Sequence, residues 1–383
     1  MKRLIALDML RGYALVCIMV DHMPLSPLRN FTLANFSVFD AAELFVLLSG
    51  FLVGMVWLSV EKKQGRVAAQ KRFAWRAFEV WRALIIGGFA MALLSAWLRY
   101  IGLEHTAVWF QYAIWVLENP FGYLGTLATM WLQPNLLDVL ALYVILIASA
   151  PLLVPVLQRW PFAFAAGSLV LWWFAIDLNV QVPNHRASGG LLFNPFGWQL
   201  LFYSGVAMGL FRHRFMPVLL SYRRIVTIVA AGFFLFGCSI LIALQFGEDA
   251  LPVRNALKVI YGGSIDKWNM DFTRYLAIMG ATWLVAVPFA SVMEKIAATR
   301  GGVALQEIGK GGLWSFIMCV LLSVVGDAFQ MNPGDQPLWR LLTVDAWAIL
   351  TLWWLSVIWL AYGAPWKKAR QDRKAAAGMP QKP

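Results

Sequence analysis

Four ionisable residues interrupt an apolar segment near the start of the chain, LDMLRGYALVCIMVDHMP, and these are Asp8, Arg11, Asp21 and His22. In a helix of about 100° per residue, Arg11 and His22 project from the same face, about 16 Å apart along the axis. A histidine can act as a general base on a hydroxyl, and an arginine binds phosphate or carboxylate through two parallel hydrogen bonds. The spacing therefore predicts a base and an anion-binding residue stacked on one helix face.

A second apolar stretch, FDAAELFVLLSGFLVG, carries the carboxylates Asp40 and Glu43 in its first turns. A carboxylate beside a histidine fixes the tautomer of the ring and raises its basicity, so Glu43 is a candidate catalytic partner for His22. Asp21 is an alternative catalytic partner, although it points about 100° away from His22 on the helix. Asp40 is a candidate for substrate binding, and the helix macrodipole by itself also explains an acid at this position.

Asp8 precedes Arg11 by three residues, a spacing that allows an ion pair and reduces the cost of burying either charge. Structural interpretations compete with a binding role for these residues. The pair can simply fix how the first helix packs, and His22 can be an interfacial histidine bonded to the backbone. Asp138, in QPNLLDVL, is a further candidate for the substrate site, or an ordinary acid at a helix start.

The composition places these residues in a membrane, because 60% of the 383 residues are hydrophobic, 14% are charged and the mean hydropathy is +0.66. A helix needs about 20 mostly apolar residues to cross the hydrocarbon core, and ten stretches qualify. The sequence therefore predicts an all-α polytopic membrane protein of about ten transmembrane helices. The predicted spans are 4–23, 40–60, 77–98, 136–158, 161–180, 195–211, 224–245, 273–294, 311–329 and 340–362.

The distribution of basic residues predicts that both termini are cytoplasmic, because short cytoplasmic loops retain Lys and Arg. With that orientation, the cytoplasmic segments hold 22 of the 32 basic residues. These segments are MKR, EKKQGRVAAQKRFAWR, QRW, RHRFMPVLLSYRR, EKIAATRGGVALQEIGK and the tail KKARQDRKAAAGMPQKP. The net charge of +12 then reflects topology and contact with anionic membrane lipids. No basic, aromatic-interleaved patch suggests a nucleic-acid partner.

The rest of the chain predicts one polytopic domain over 1–366 and a basic cytoplasmic tail over 367–383. The connection 99–135 is aromatic and polar at its centre, which favours interfacial helices on the outer face. The connection 246–271 suits a lid or sugar-contacting surface, or equally a solvated loop. Ser49 and Gly50 predict close helix packing, and the four histidines are too far apart in sequence to indicate a metal site.

The opening of the chain resembles a known family. RLIALDMLRGYALVCIMVDHMP followed by FDAAELFVLLSGFLVG is similar to the start of the OpgC-type proteins, inner-membrane proteins that attach succinyl groups to osmoregulated periplasmic glucans. The D-x-L-R-G motif, the histidine eleven residues after the arginine and the F-V-x-x-S-G-F run look more distantly like the type 3 membrane acyltransferases. The resemblance continues more loosely through WLQPNLLDVLALYV at 131–144 and FNPFGWQLLFYSGVAMG at 193–209.

The resemblance implies an O-acyltransferase, with an acyl-CoA donor, succinyl-CoA in particular, entering from the cytoplasm and a glucan acceptor in the periplasm. No bound cofactor is implied, and the protein is expected in the bacterial inner membrane with its active site open to the periplasm. Arg11 then steadies the phosphates of the donor or the free carboxylate of its succinyl group. The alternative function is a transporter or flippase of a glycan or lipid-linked substrate, with Asp8, Arg11 and His22 as a polar pathway.

Reporter fusions test the orientation directly. Fusions after Arg66, Arg214 and Lys368 should report the cytoplasm, and fusions after Glu118 and Asp266 should report the periplasm, because of the bias in basic residues. Paired alkaline phosphatase and fluorescent-protein reporters at each position measure this. Inversion of any one of the five would contradict the orientation and the placement of His22 at the outer surface.

Overall fold

The computed structural model describes residues 5–185, 189–245, 266–331 and 336–363, and every regular element in these ranges is a helix. The prediction of an all-α protein is confirmed for them. The helices are α1 (Ile5–Asp21), α2 (Ala41–Gln64), α3 (Arg66–Tyr100), α4 (Phe110–Glu118), α5 (Pro120–Ala128), α6 (Asp138–Arg159), α7 (Pro161–Trp173), α8 (Ala175–Val180), α9 (Pro195–Ser221), α10 (Arg223–Gln245), α11 (Phe272–Ala286), α12 (Ala290–Ala298), α13 (Arg300–Gly311), α14 (Leu313–Met331) and α15 (Leu338–Ile358). Two 3₁₀ turns, Pro27–Phe31 and Leu33–Asn35, follow α1, and a π-helical turn, Trp359–Gly363, follows α15.

Six helices in the described ranges are long and apolar enough to cross a membrane, namely α2, α3, α6, α10, α14 and α15. The pair α11 and α12 makes a seventh candidate if its 73° bend lies within one span. In the described residues each of the ten predicted apolar stretches is mainly helical, but ten crossings and the cytoplasmic placement of the termini stay predictions. The break between α11 and α12 contains Pro288, which lacks a backbone N–H and cannot continue the helix.

Two further stretches differ from their predicted extents. The 161–180 stretch is divided into α7 and α8 at Phe174. Helix α3 runs for 35 residues and includes the basic segment before the predicted span. It starts directly after Gly65, whose φ of +87° separates it from α2 and suits a residue without a side chain.

The connection 99–135 contains the two short helices α4 and α5, so the prediction of helices there is confirmed, and their location at a membrane surface stays a prediction. Most of the predicted lid or solvated loop, 246–265, lies outside the described residues, as does the predicted tail 367–383. The single domain over 1–366 also stays a prediction. The helices pack into two compact units, each built from separate parts of the chain.

Unit 1 comprises Met1–Arg29, Val60–Leu152 and Ile296–Pro383. Helix α1 packs along α13 and α14, and α14 also packs against α3 and α15. The approach of α1 to α13 is as close as backbones allow, because a Cβ added at Gly12 would overlap the carbonyl oxygen of Leu305. A Cβ added at Gly309 would likewise overlap the carbonyl oxygen of Asp8. The glycine of the D-x-L-R-G motif is therefore required by this helix crossing.

Unit 2 comprises Asn30–Ser59 and Leu153–Lys295. Its helices α2 and α9 cross through a G-x-x-x-G pair on each, the arrangement by which small residues let helix backbones approach in membranes. A Cβ added at Gly50 would overlap the carbonyl oxygen of Phe202, and one added at Gly205 would overlap that of Leu47. The predicted close packing at Gly50 is confirmed. Helices α10 and α11 pack against each other in the same unit.

The close crossing of α2 and α9 predicts that one added methyl group destabilises the protein. Gly50→Ala should lower the thermal melting temperature of the detergent-purified protein, because the new Cβ forces the helices apart. The unfolding free energy should fall by about 1 to 3 kcal/mol. Gly232→Ala in α10 is the matched control, since a Cβ there meets nothing within 4 Å. It should be neutral or slightly stabilising through helix propensity. Equal melting temperatures for the two variants would refute the tight crossing.

Candidate functional site at the His22 end of unit 1

His22 directly follows the last residue of α1 and is half-buried. Its Nδ1 lies 2.6 Å from the carbonyl oxygen of Ile18, one helical turn earlier. A carbonyl can only accept a hydrogen bond, so Nδ1 carries the hydrogen that it donates. In the neutral ring the basic lone pair is then on Nε2. The backbone thereby fixes the tautomer that a base working through Nε2 requires.

The turn after α1 holds the backbone of His22 on its other side. The amide of Met23 donates to the carbonyl of Val20 at 3.0 Å, and the amide of Ser26 donates to the carbonyl of Met23 at 2.9 Å. Met23 is fully buried, and its sulfur lies against Gly326 of α14, where an added Cβ would displace it. His22 is therefore carried by a short, closed turn anchored in the core of unit 1. This turn, residues 22–26, is called the His22 turn below.

A buried carboxylate connects the His22 turn to two other helices. Asp345 of α15 is fully buried. The hydroxyl of Ser26 donates to its Oδ2 at 2.6 Å, and the side-chain amide of Gln330 in α14 donates to its Oδ1 at 2.8 Å. The end of α1, the last turns of α14 and the first turns of α15 thus meet at one end of unit 1, here called the His22 end.

A second buried carboxylate, Asp327 of α14, holds the loop after α3 at the same end. Its Oδ2 accepts hydrogen bonds from the amide of Thr106 at 2.6 Å, the hydroxyl of Thr106 at 3.1 Å and the amide of Ala107 at 2.8 Å. In that loop His105 Nε2 lies 2.9 Å from the hydroxyl of Ser95. Burial, together with the charge of Arg99, lowers the pKa of His105, which favours its neutral form.

The remaining sequence candidates of unit 1 lie elsewhere on its helices. Asp8 is buried and Arg11 half-buried on the part of α1 that contacts α13. Asp21 is the last residue of α1. Asp138 is the first residue of α6, and its Oδ1 accepts the amide of Val139 at 2.9 Å, a local bond that fits an acid at a helix start. The binding roles predicted for Asp8, Arg11 and Asp138 and the catalytic role predicted for Asp21 stay predictions.

The other two candidates, Asp40 and Glu43, form a capping box at the start of α2 in unit 2. The side chain of Asp40 accepts the amide of Ala42 at 2.8 Å, and Glu43 Oε2 accepts the amide of Asp40 at 3.0 Å. This reciprocal pattern satisfies amides that would otherwise be left without partners at a helix N-terminus. The sequence DAAE therefore starts the helix, whatever further role its acids have.

Both acids also bind cations that the sequence analysis did not single out. Arg274 of α11 contacts Glu43 Oε1 through Nε at 2.6 Å and Nη2 at 2.5 Å, and Glu43 is completely buried. Lys267 Nζ lies 2.6 Å from Asp40 Oδ2. Burial would lower the pKa of Lys267, but the charges of Asp40 and Glu43 outweigh it and raise that pKa. Glu43 as a catalytic partner of His22 and Asp40 as a substrate ligand stay predictions.

The charged residues that sequence analysis missed share a detectable signal. Arg274, Asp327 and Asp345 each lie inside a predicted apolar span, as Asp8 and Arg11 do. The rule that an ionisable residue within a span faces a partner or a cavity applies to all of them equally. What the sequence lacks is the identity of each partner, because the partners are distant in the chain. Among the described residues, no three His, Cys, Asp or Glu side chains are arranged to hold a metal ion.

Comparison with known proteins gives one match. A family model described as OpgC protein matches residues 3–366, which cover all of unit 2, all but the two ends of unit 1, and every candidate named above. No curated protein matches the chain, and no solved structure matches it.

The buried ion pair of unit 2 yields a stability prediction. Arg274→Leu should cost about 3 to 5 kcal/mol in unfolding free energy, because it leaves the Glu43 carboxylate buried without its cation. Adding Glu43→Gln should restore much of the loss. Arg66→Leu is the matched control, since the Arg66 to Glu61 pair is exposed and worth at most about 1 kcal/mol. Denaturation of the purified variants measures all three, and no difference between Arg274→Leu and Arg66→Leu would contradict the prediction.

Proposed function

The chain belongs to the OpgC family, and on that premise we propose that it is a membrane-bound O-acyltransferase that modifies osmoregulated periplasmic glucans. Family membership supports a glucan-modifying function, and the multiple apolar helices support a membrane protein. The finer part of the proposal is that the donor is succinyl-CoA, reached from the cytoplasm, and that hydroxyls of a periplasmic glucan accept the acyl group. The protein then resides in the bacterial inner membrane among its lipids.

The observation that carries the proposal is the hydrogen bond from His22 Nδ1 to the carbonyl of Ile18. With Nδ1 donating, Nε2 is the atom that takes the proton from a glucan hydroxyl. The hydroxyl oxygen attacks the thioester carbonyl, the carbon–sulfur bond breaks, and the proton on Nε2 passes to the leaving CoA sulfur. An ester and free CoA result, and the histidine returns to its starting tautomer. The reaction requires no bound cofactor.

Arg11 is assigned to the donor in this proposal. The part of α1 from Arg11 to Asp21 is continuous helix and His22 follows it, which supports the separation of about 16 Å inferred from the spacing. A guanidinium that far from the base suits a phosphate of CoA at the far end of an extended thioester. The free carboxylate of a succinyl group is only two methylenes from the thioester carbon, so Arg11 can bind it only before the thioester reaches His22. Asp8, three residues earlier, moderates the cost of holding the arginine among apolar helices. Glu43 and Asp21, the alternative acids predicted to partner His22, are not required to set its tautomer in this proposal, because the Ile18 carbonyl already accepts from Nδ1.

One structural feature favours the second candidate, a transporter or flippase. Transporter sites are often formed by broken helices, and α11 and α12 meet at a 73° bend. A transporter, however, does not consume an acyl-CoA. Release of free CoA by the purified protein in the presence of glucan separates the two functions, because transport alone leaves the thioester intact.

His22→Ala tests the acyltransferase proposal. The variant should fold and melt as the unchanged protein does, while transfer from succinyl-CoA to glucan falls by roughly 10² to 10⁴, the contribution of a general base. A dye that reacts with the released CoA thiol measures turnover, and mass spectrometry of the glucan measures acylation. His213→Ala is the control, since that histidine is exposed on α9 next to Arg212.

Two outcomes bear on the mechanism. Unchanged turnover in His22→Ala would disprove the catalytic role. Mass spectrometry of the protein incubated with donor alone separates direct transfer from an acyl-histidine relay, because only the relay adds the acyl mass to the chain.

A further inference from the structure

Asp345 is a fully buried acid in the apolar helix α15, and the proposed reaction does not use it. A carboxylate in such surroundings is costly and is usually retained for a specific partner. Two side chains that bond to it, Ser26 and Gln330, come from different parts of unit 1. The contact with Ser26 spans 319 residues of sequence and reaches the segment that carries His22.

The connection from Asp345 to His22 consists of one side-chain hydrogen bond to Ser26 and the short, internally hydrogen-bonded turn between Ser26 and His22. Ser26 is the last residue of the His22 turn, and its amide is bonded back to Met23 at 2.9 Å. Met23, the neighbour of His22, is bonded back to Val20 at 3.0 Å. The imidazole itself is bonded to Ile18 at 2.6 Å. Helix α1 thus fixes one side of His22, and the side chain of Ser26 joins the other side of the turn to Asp345.

Gln330 holds the Asp345 carboxylate in one orientation. The amide of Gln330 occupies Oδ1 of the carboxylate, which leaves Oδ2 directed at Ser26. Gln330 is itself fully buried in α14, and Ser26 is buried as well, so neither side chain is loosely held. Gln330 of α14 therefore fixes the orientation of the Asp345 carboxylate on α15. That orientation in turn determines where the hydroxyl of Ser26 lies.

We propose that Asp345 is a positioning residue for acyl transfer, which acts through Ser26 to hold His22 in its reactive place. The inference rests on the proposed function, because it takes His22 as the base. A displacement of a reacting group by about 1 Å lowers a rate by on the order of 10²-fold. Loss of the Ser26 contact lets the His22 turn move by a distance of about 1 Å, while the substrate-binding surfaces stay in place.

The kinetic signature is a fall in kcat without a matching change in KM. Ser26→Ala and Asp345→Ala should each lower kcat by about 10 to 10²-fold, with KM for succinyl-CoA and for glucan unchanged within about twofold. Because both act through one contact, the double variant should be no slower than Asp345→Ala alone. Ser26→Ala removes a single oxygen, so it provides the test if Asp345→Ala does not fold.

Asp345→Asn is the conservative variant that should restore activity. Its Oδ1 can still accept from Gln330, and its Nδ2 can donate to the hydroxyl oxygen of Ser26, so both links persist with one direction reversed. Adding Ser26→Ala to Asp345→Asn should abolish this restoration.

Asp327→Ala is the matched control for a merely structural effect. Asp327 is an equally buried acid on α14, but its carboxylate holds Thr106 and Ala107 instead of the His22 turn. The melting temperature should fall for Asp327→Ala at least as far as for Ser26→Ala, whereas kcat should fall less. If kcat instead follows the melting temperature across these variants, the positioning role is wrong.

The two proposals fail separately. If His22→Ala transfers normally, the catalytic claim for His22 is wrong, whatever Asp345 does. If His22→Ala is inactive while Ser26→Ala and Asp345→Ala keep full kcat, the acyltransferase proposal stands and the positioning inference is overturned. Additive losses in the double variant would likewise show that Asp345 does not act through Ser26.

Discussion

A charged or polar side chain buried among apolar helices must find its partner within the protein, because neither lipid tails nor a dry core can replace its hydration. In this chain that constraint turns buried ionisable groups such as Glu43 and Asp345 into links between elements. Glu43 reaches Arg274 across 231 residues of sequence, and Asp345 reaches Ser26 across 319. The helices can associate through apolar contact in many registers, but these polar pairs form in only one of them.

Glycine crossings bring other helix pairs into close contact within each unit. The overlap that a Cβ at Gly12 or Gly309 would cause shows that α1 and α13 touch through their backbones. In unit 2 the G-x-x-x-G pairs of α2 and α9 produce the same close approach. Close packing through small residues and pairing of buried polar groups thus fix different helix pairs within each unit.

The His22 end of unit 1 combines rigidity with a basic nitrogen. His22 takes its tautomer from a backbone carbonyl, and the turn beyond it is bonded to the buried Asp345 of α15, which Gln330 of α14 holds in turn. Preorganisation of this kind is what a base in acyl transfer requires, because the proton must leave the hydroxyl as the oxygen attacks. The chain belongs to the OpgC family, and in the reaction that we propose a glucan hydroxyl is the group that this base deprotonates.

Much of the fold could be predicted from the sequence, because helices depend on local properties. The length of the apolar stretches was enough to predict helical segments. Pro288 and Gly65 lie where helices end, because their backbone preferences are local. The DAAE capping box likewise needs only four consecutive residues. The spacing of Arg11 and His22 also needed only the helical repeat, and α1 is helical between them.

Only the tertiary structure decided which buried groups meet. Asp327, Asp345 and Arg274 could be recognised from sequence as charges in apolar spans, but their partners lie up to hundreds of residues away and no local pattern specifies them. The tautomer of His22 follows from one carbonyl oxygen, and the anchoring of its turn follows from a side chain on α15. The sequence by itself therefore determined the helices and the types of residue available for chemistry. The pairing depended on packing, because hydrogen bonds require atoms within about 3 Å and only the folded chain brings them that close.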